Sequence, residues 1–148
     1  MKIFRVLAAS ALVLPMISGC SATVALEPAV DSNNPKCADV SVRLPDTIDA
    51  LERRGTNAQA TGAWGTPTAV ILRCGLPPAD VSTFKCVTAG GVDWLVDDSK
   101  SPSYRFISFG RNPATEVIVD STKIAGVTAL ETLGGAVKFI PATKKCLG

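Results

Sequence analysis

Five cysteines, at positions 20, 37, 74, 86 and 146, do more than any other residues to limit what this chain can fold into. The first stands apart from the rest. It closes the string Ile17-Ser18-Gly19-Cys20, an aliphatic residue and two small ones ahead of a cysteine, which has the form of a bacterial lipobox. The residues before it supply the other parts of an export signal. Lys2 and Arg5 make a basic n-region, no acid precedes Glu27, and the apolar run from Val6 through Ile17 is broken only by Ser10 and Pro15. That run has the length of a signal h-region and falls short of the roughly 20 apolar residues of a spanning helix. Residues 1–19 are therefore expected to be removed as a lipoprotein signal peptide. Cys20, whose sulfur takes the lipid, is expected to become the N-terminus and to hold the protein to the extracytoplasmic face of the cell membrane. At least two acyl chains accompany such processing, and two anchor stably where one is marginal. Ordinary secretory cleavage among the small residues 21–25 is the competing reading.

With Cys20 assigned to lipid, four cysteines remain in an oxidising compartment, and an even number there implies two disulfides. Four cysteines allow three pairings. The favoured one joins Cys74 to Cys86 around a short loop containing Gly75, Pro77 and Pro78, and Cys37 to Cys146 across the two ends of the domain. By loop-closure entropy these would stabilise by about 3 and about 4.7 kcal/mol. A zinc site finds no support, because the chain has no histidine and no CxxC.

The chain carries 15 basic and 13 acidic residues, and loss of Lys2 and Arg5 with the signal leaves 13 of each. A neutral mature chain without a basic run is not built for nucleic acid. It also has no electrostatic means of holding to anionic lipid, so the lipid on Cys20 would have to do that. Residues 20–36, small or polar with Pro28, Asn33, Asn34 and Pro35, read as a flexible tether. Residues 37–148 suit one small domain.

Within that domain Ala38, Val40, Val42 and Leu44 alternate with polar residues, which predicts a strand ended by Pro45. Asp46–Arg54 predicts a short helix, with acids early, arginines late and Gly55 as its cap. Further strands are expected over 66–74, 84–88, 92–96, 104–109 and 115–119, with a hairpin turn at Gly90-Gly91. Val127, Leu130, Leu133, Val137 and Ile140 recur at helical spacing, although Gly134-Gly135 weakens that helix by roughly 1 kcal/mol per glycine. The expected class is α+β: four to six mostly antiparallel strands, two helices on one face and two disulfides.

Several strings are distinctive together. They are Cys37-Ala38-Asp39-Val40, Arg53-Arg54 followed by Thr56, Gln59-Ala60-Thr61 with Ala63-Trp64-Gly65, Leu72-Arg73-Cys74-Gly75, Gly91-Val92-Asp93-Trp94, and Phe109-Gly110-Arg111-Asn112-Pro113-Ala114. On these the chain resembles the domain-of-unknown-function family 3515 over nearly all of residues 37–146, with Gly62 standing where a second alanine is expected before Ala63. The resemblance implies an exported actinobacterial protein, often a lipoprotein, with no assigned activity and no catalytic residues to carry over.

Chemistry is narrowed by what the chain lacks. Without histidine, serine and cysteine triads are excluded. No P-loop and no dinucleotide-type glycine pattern occurs, and Cys74 and Cys86 are too far apart for a CxxC redox motif. No cofactor or metal is implied. A carboxylate pair remains for a small envelope enzyme or an accessory subunit, with Asp93 and Glu116 as the acids set in apolar strands. Arg53, Arg54, Trp64, Trp94 and Arg111 could form a surface for cell-wall glycan or an envelope protein, since indoles stack on sugars and guanidinium forks grip carboxylates. The structural reading outweighs this one: the tryptophans read first as core anchors, Arg73 and Asp93 as a buried pair, and Arg53 and Arg54 as helix caps. The leading expectation is a non-catalytic, lipid-anchored envelope protein that binds or supports another component. A transporter's ligand-binding lipoprotein ranks last, because about 112 residues are too few for two lobes.

Overall fold

The computed structural model describes residues 22–79 and 83–147. The expected signal peptide, residues 1–19, and Cys20 lie outside them. The elements run α1 (Pro35–Ser41), β1 (Thr47–Ile48), β2 (Leu51–Arg54), β3 (Thr61–Trp64), β4 (Val70–Leu76), β5 (Lys85–Ala89), β6 (Val92–Asp97), β7 (Ser103–Ser108), β8 (Ala114–Asp120) and α2 (Gly126–Val137). The class is α+β as expected, but the antiparallel sheet has eight strands rather than four to six, in the order β1-β2-β3-β4-β8-β7-β6-β5. The additional strands are those with the weakest sequence signal. β3 is Thr61-Gly62-Ala63-Trp64, mostly small residues, yet all four are buried between β2 and β4.

Two expectations near the domain's start are corrected. Residues 37–44 form no strand: Asn34 caps a helix by accepting from the Lys36 N–H (3.0 Å), and Pro35 takes its first turn. Cys37, Val40 and Leu44 are the buried residues there, at helical spacing, while Val42 is 78% exposed. Residues 46–54 form no helix but the β1–β2 hairpin, which turns at Asp49 and Ala50 with Asp49 at φ 52°. The charges of that segment suited a helix dipole, but Ile48 and Leu51 give it no apolar stripe to bury, and tertiary packing supplies most of a helix's stability.

One face of the sheet forms the core. Val70, Leu72, Val92, Trp94, Phe106, Val117 and Val119 alternate onto it and meet α1 and α2. From α2 the contribution is Ala129, Leu130, Leu133, Ala136 and Val137. Val127, expected in that stripe, is 60% exposed.

The glycines of α2 have a packing role that propensity alone hides. A Cβ on Gly134 would stand 2.4 Å from the Gly90 carbonyl oxygen, where the helix presses on the β5–β6 turn; a Cβ on Gly135 meets nothing within 4 Å. Gly135→Ala is expected to stabilise by up to about 1 kcal/mol. At Gly134 the same propensity gain is outweighed by overlap with backbone, which cannot swing aside. Gly134→Ala should therefore destabilise by about 2 kcal/mol, as urea midpoints of the two variants would show.

The disulfides are Cys37–Cys74 and Cys86–Cys146. All four cysteines pair as expected, but the favoured partners do not. In the strand order β4 and β5 are four places apart, about 19 Å at the usual strand spacing, whereas a disulfide needs Cα atoms within about 7 Å. Cys37 on α1 instead lies over β4, and the C-terminal tail returns along β5.

Residues 22–36, expected as a tether, lie against the domain. Val24 bridges Thr56, the Leu26 N–H donates to Asn57 Oδ1 (2.7 Å), and the Asp31 N–H donates to the Gly75 carbonyl (2.9 Å).

Candidate functional site

The sheet and α2 enclose a cavity of about 460 Å³. Its floor is the inner face of β5–β8, including Val87, Val96, Phe106 and Val119, and its roof is the first turn of α2, Gly126, Val127 and Leu130. Tyr104 and Ser121 bring hydroxyl groups to the lining, the Thr88 hydroxyl being bonded to Asp93 on the other face of the sheet, and no charged side chain lines it. The cavity exists because the edge strand is only partly covered. Val87 lies opposite Trp94 on the core face, yet it is 39% exposed where Trp94 is fully buried. Gly126 contributes by omission, since a Cβ there would stand 2.8 Å from the Phe106 ring.

The opposite face of the sheet carries the strongest charge cluster. Register sets Arg73 on β4 directly across from Glu116 on β8, and Arg105 on β7 diagonally beside it. Glu116 is completely buried. Its Oε1 accepts from Arg73 and its Oε2 from the Arg105 Nε (2.5 Å), while Arg73 Nη1 reaches the Glu27 carbonyl (3.3 Å). Arg73 thus pairs with Glu116 and not with Asp93. Both carboxylate oxygens are engaged, and the arginine stems cover them.

Asp93 has separate partners. It accepts from Thr88 Oγ1 (2.6 Å) and from the Cys146 N–H (2.9 Å), which fastens the C-terminal tail to β6. Asp93 and Glu116 lie on the same sheet face with β7 between their strands, and the register puts their Cα atoms about 12 Å apart. With Glu116 enclosed, the two do not flank a common cleft as a glycosidase pair would. Burial raises the Asp93 pKa, but the bonds from Thr88 and Cys146 and the charges of Lys145 and Arg111 outweigh it and hold the carboxyl below its usual value. A lowered folded-state pKa contributes stability that is present above the unfolded value and lost as pH falls through the folded one. Asp93→Asn should therefore flatten the acid limb of the stability curve below about pH 4, as denaturant midpoints between pH 2.5 and 6 would read.

The residues expected as a binding surface are dispersed. Trp64 and Trp94 are fully buried, and their indole N–H groups donate to the Pro45 (3.0 Å) and Ala89 (3.1 Å) carbonyls, so neither ring offers a face to a ligand. Arg53 donates to the Leu44 carbonyl (3.2 Å). Arg54 donates to the Ala22 carbonyl (2.6 Å) and Thr68 Oγ1 (3.2 Å). Arg111, buried near the end of α2, donates to the carbonyls of Lys138 (3.3 Å), Ile140 and Gly91 (3.4 Å) and so satisfies a helix terminus and the β5–β6 turn. Sequence reasoning missed Arg105 and the cavity residues. Arg105 alternates outward on its strand, but only the strand order reveals that it meets Glu116.

Among the described residues no group of three or more His, Cys, Asp or Glu could hold a metal ion. No helix among them is long and apolar enough to cross a membrane. A family model described as protein of unknown function (DUF3515) matches residues 1–145. No curated protein and no solved structure matches the chain.

Proposed function

Since the chain belongs to the DUF3515 family, whose function is unknown, we propose from its own residues that it is an exported, lipid-anchored envelope protein that acts by binding and not by catalysis. The observation that carries this reading is the cavity under α2. Its lining offers carbon and the hydroxyl groups of Tyr104 and Ser121, with no acid, amine or guanidinium. Such pockets, with few polar groups and a volume of several hundred Å³, are the usual form of a small-molecule site. The charged groups elsewhere support it, for Glu116 is held by Arg73 and Arg105, Asp93 by Thr88 and the Cys146 N–H, and Arg111 by backbone carbonyls. The two disulfides fit an extracytoplasmic home. The export signal and Ile17-Ser18-Gly19-Cys20 supply the anchor.

The test is the intact mass of the protein purified from its native membrane. The expected mass is that of residues 20–148 plus acyl groups, rising by about four protons on reduction, and a Cys20→Ala chain exported behind an ordinary cleavable secretory signal in place of residues 1–19 should leave the membrane fraction. An unlipidated mass, or a Cys20→Ala protein that stays membrane-bound, would overturn the anchor. Turnover of a wall-derived substrate that vanishes on changing one acid would overturn the non-catalytic reading.

A further inference from the structure

We infer that the cavity under α2 holds one alkyl chain of a membrane lipid, with the headgroup left outside. The inference deepens the binding role proposed above and rests on it. Three observations carry it. The first is the lining. A ligand with charge or several hydrogen-bonding groups would lose its water inside and find only the Tyr104 and Ser121 hydroxyls in return. An alkyl chain loses nothing of that kind and gains from every methylene it buries.

The second is the incomplete cover at the entrance. Val87 and Val127, on β5 and α2, are both exposed while lining the cavity. Their exposure opens the apolar interior to solvent between the edge strand and the start of the helix. The nearest lysine along β5 on that face is Lys85, opposite Val96 and outside the lining, where a cation could meet the acidic headgroup of a lipid whose chain lies within.

The third is the direction in which the chain enters the domain. Val24 pairs in parallel with Thr56, and Ala22 lies by Arg54, so the chain preceding Ala22 arrives at the end of the sheet where β3 finishes and β4 begins. Register carries that same end across the sheet, from Val70 to Val119 on β8 and from Val119 to Tyr104 on β7. Tyr104, Val119, Ser121 and Gly126 line the cavity at this end. An anchor on Cys20 would therefore turn the cavity's end of the sheet toward the bilayer that supplies such chains.

The experiment uses the mature chain, residues 20–148 with Cys20→Ala, stripped of lipid and titrated with cis-parinaric acid, whose fluorescence rises when its polyene chain leaves water. Saturable one-to-one binding is expected. Val87→Glu and Val127→Glu alter exposed positions and leave the core alone, and each should weaken binding about tenfold by placing a carboxylate at the entrance, where it repels the probe's own. Gly126→Val, which drives a side chain against Phe106, should weaken it at least as much. Absence of saturable binding, or binding unchanged in both glutamate variants, would overturn the proposal. The anchor fails separately: an unlipidated native mass would remove the third observation and leave this titration to decide the cavity alone. An intact lipid on Cys20 with no binding would remove the cavity proposal alone.

Discussion

Replacing both Arg73 and Arg105 with methionine is expected to destabilise the domain by about 3–5 kcal/mol, read as a fall in the urea midpoint at neutral pH. The reason is the asymmetry of the cluster. Glu116 has no exposed surface, whereas the side chains of Arg73 and Arg105 are 30% and 38% exposed. Methionine keeps most of the apolar stem that covers Glu116 and removes the guanidinium, so a carboxylate stays buried without a partner, the costly way to break an ion pair. Glu116→Gln makes the opposite cut. It frees two guanidinium groups that already reach water, so its cost should be smaller, about 1–2 kcal/mol. The triple variant with Leu at position 116 and Met at 73 and 105 should recover most of the loss, since apolar residues of similar volume often replace a buried ion pair without penalty. If the double methionine variant were as stable as the parent protein, Glu116 would not depend on these partners.

The second large effect concerns the inner disulfide. Cys37–Cys74 closes a separation of 37 residues, worth about 4 kcal/mol in loop-closure entropy. Cys37→Ala with Cys74→Ala should lower stability by about that amount, and both sulfurs are buried, so a small packing loss adds to it. Cys86–Cys146 closes 60 residues, again about 4 kcal/mol, but its cysteines are only partly buried. Mild reductant should open Cys86–Cys146 first and leave a folded protein. Loss of both bonds removes about 8 kcal/mol from a domain of a size whose whole stability is about 5–15, and should leave it largely unfolded on warming. Peptide mapping of partly reduced protein reads the order directly. A fragment joining Cys74 to Cys86 would contradict the strand order itself.

What the sequence made legible follows from how local each signal is. β4 through β8 are readable because each is an apolar or alternating run with glycine or proline close to at least one end, and the Gly90-Gly91 turn sits where expected. α2 was readable from the spacing of Leu130, Leu133, Val137 and Ile140. The segment from Cys37 to Leu44 carries two periods at once. Ala38, Val40, Val42 and Leu44 fit a strand, and Cys37, Val40 and Leu44 fit a helix. The deciding residues, Asn34 and Pro35, sit before the window in which the alternation is strongest. The disulfide partners and the Arg73–Glu116–Arg105 contact depend on strand order, a property of the whole sheet that no local pattern contains. The cavity was equally hidden. It depends on Val87 and Val127 being left partly bare and on a missing side chain at Gly126, and in the sequence these are ordinary core and helix residues.

If Cys20 carries the proposed lipid, the lacing of the N-terminal segment onto the domain sets how far the protein can travel. Arg54 grips the Ala22 carbonyl and Val24 is bridged to Thr56. With lipid on Cys20, only two residue steps separate the acylated residue from that first clamp, a contour of about 7 Å even when fully extended. That is close to the depth of one headgroup layer, about 5–7 Å. The domain would then be moored hard against the bilayer, with little radius in which to swing and a limited choice of tilt. A component farther out in the envelope could not be fetched; it would have to come down to the membrane surface to be met.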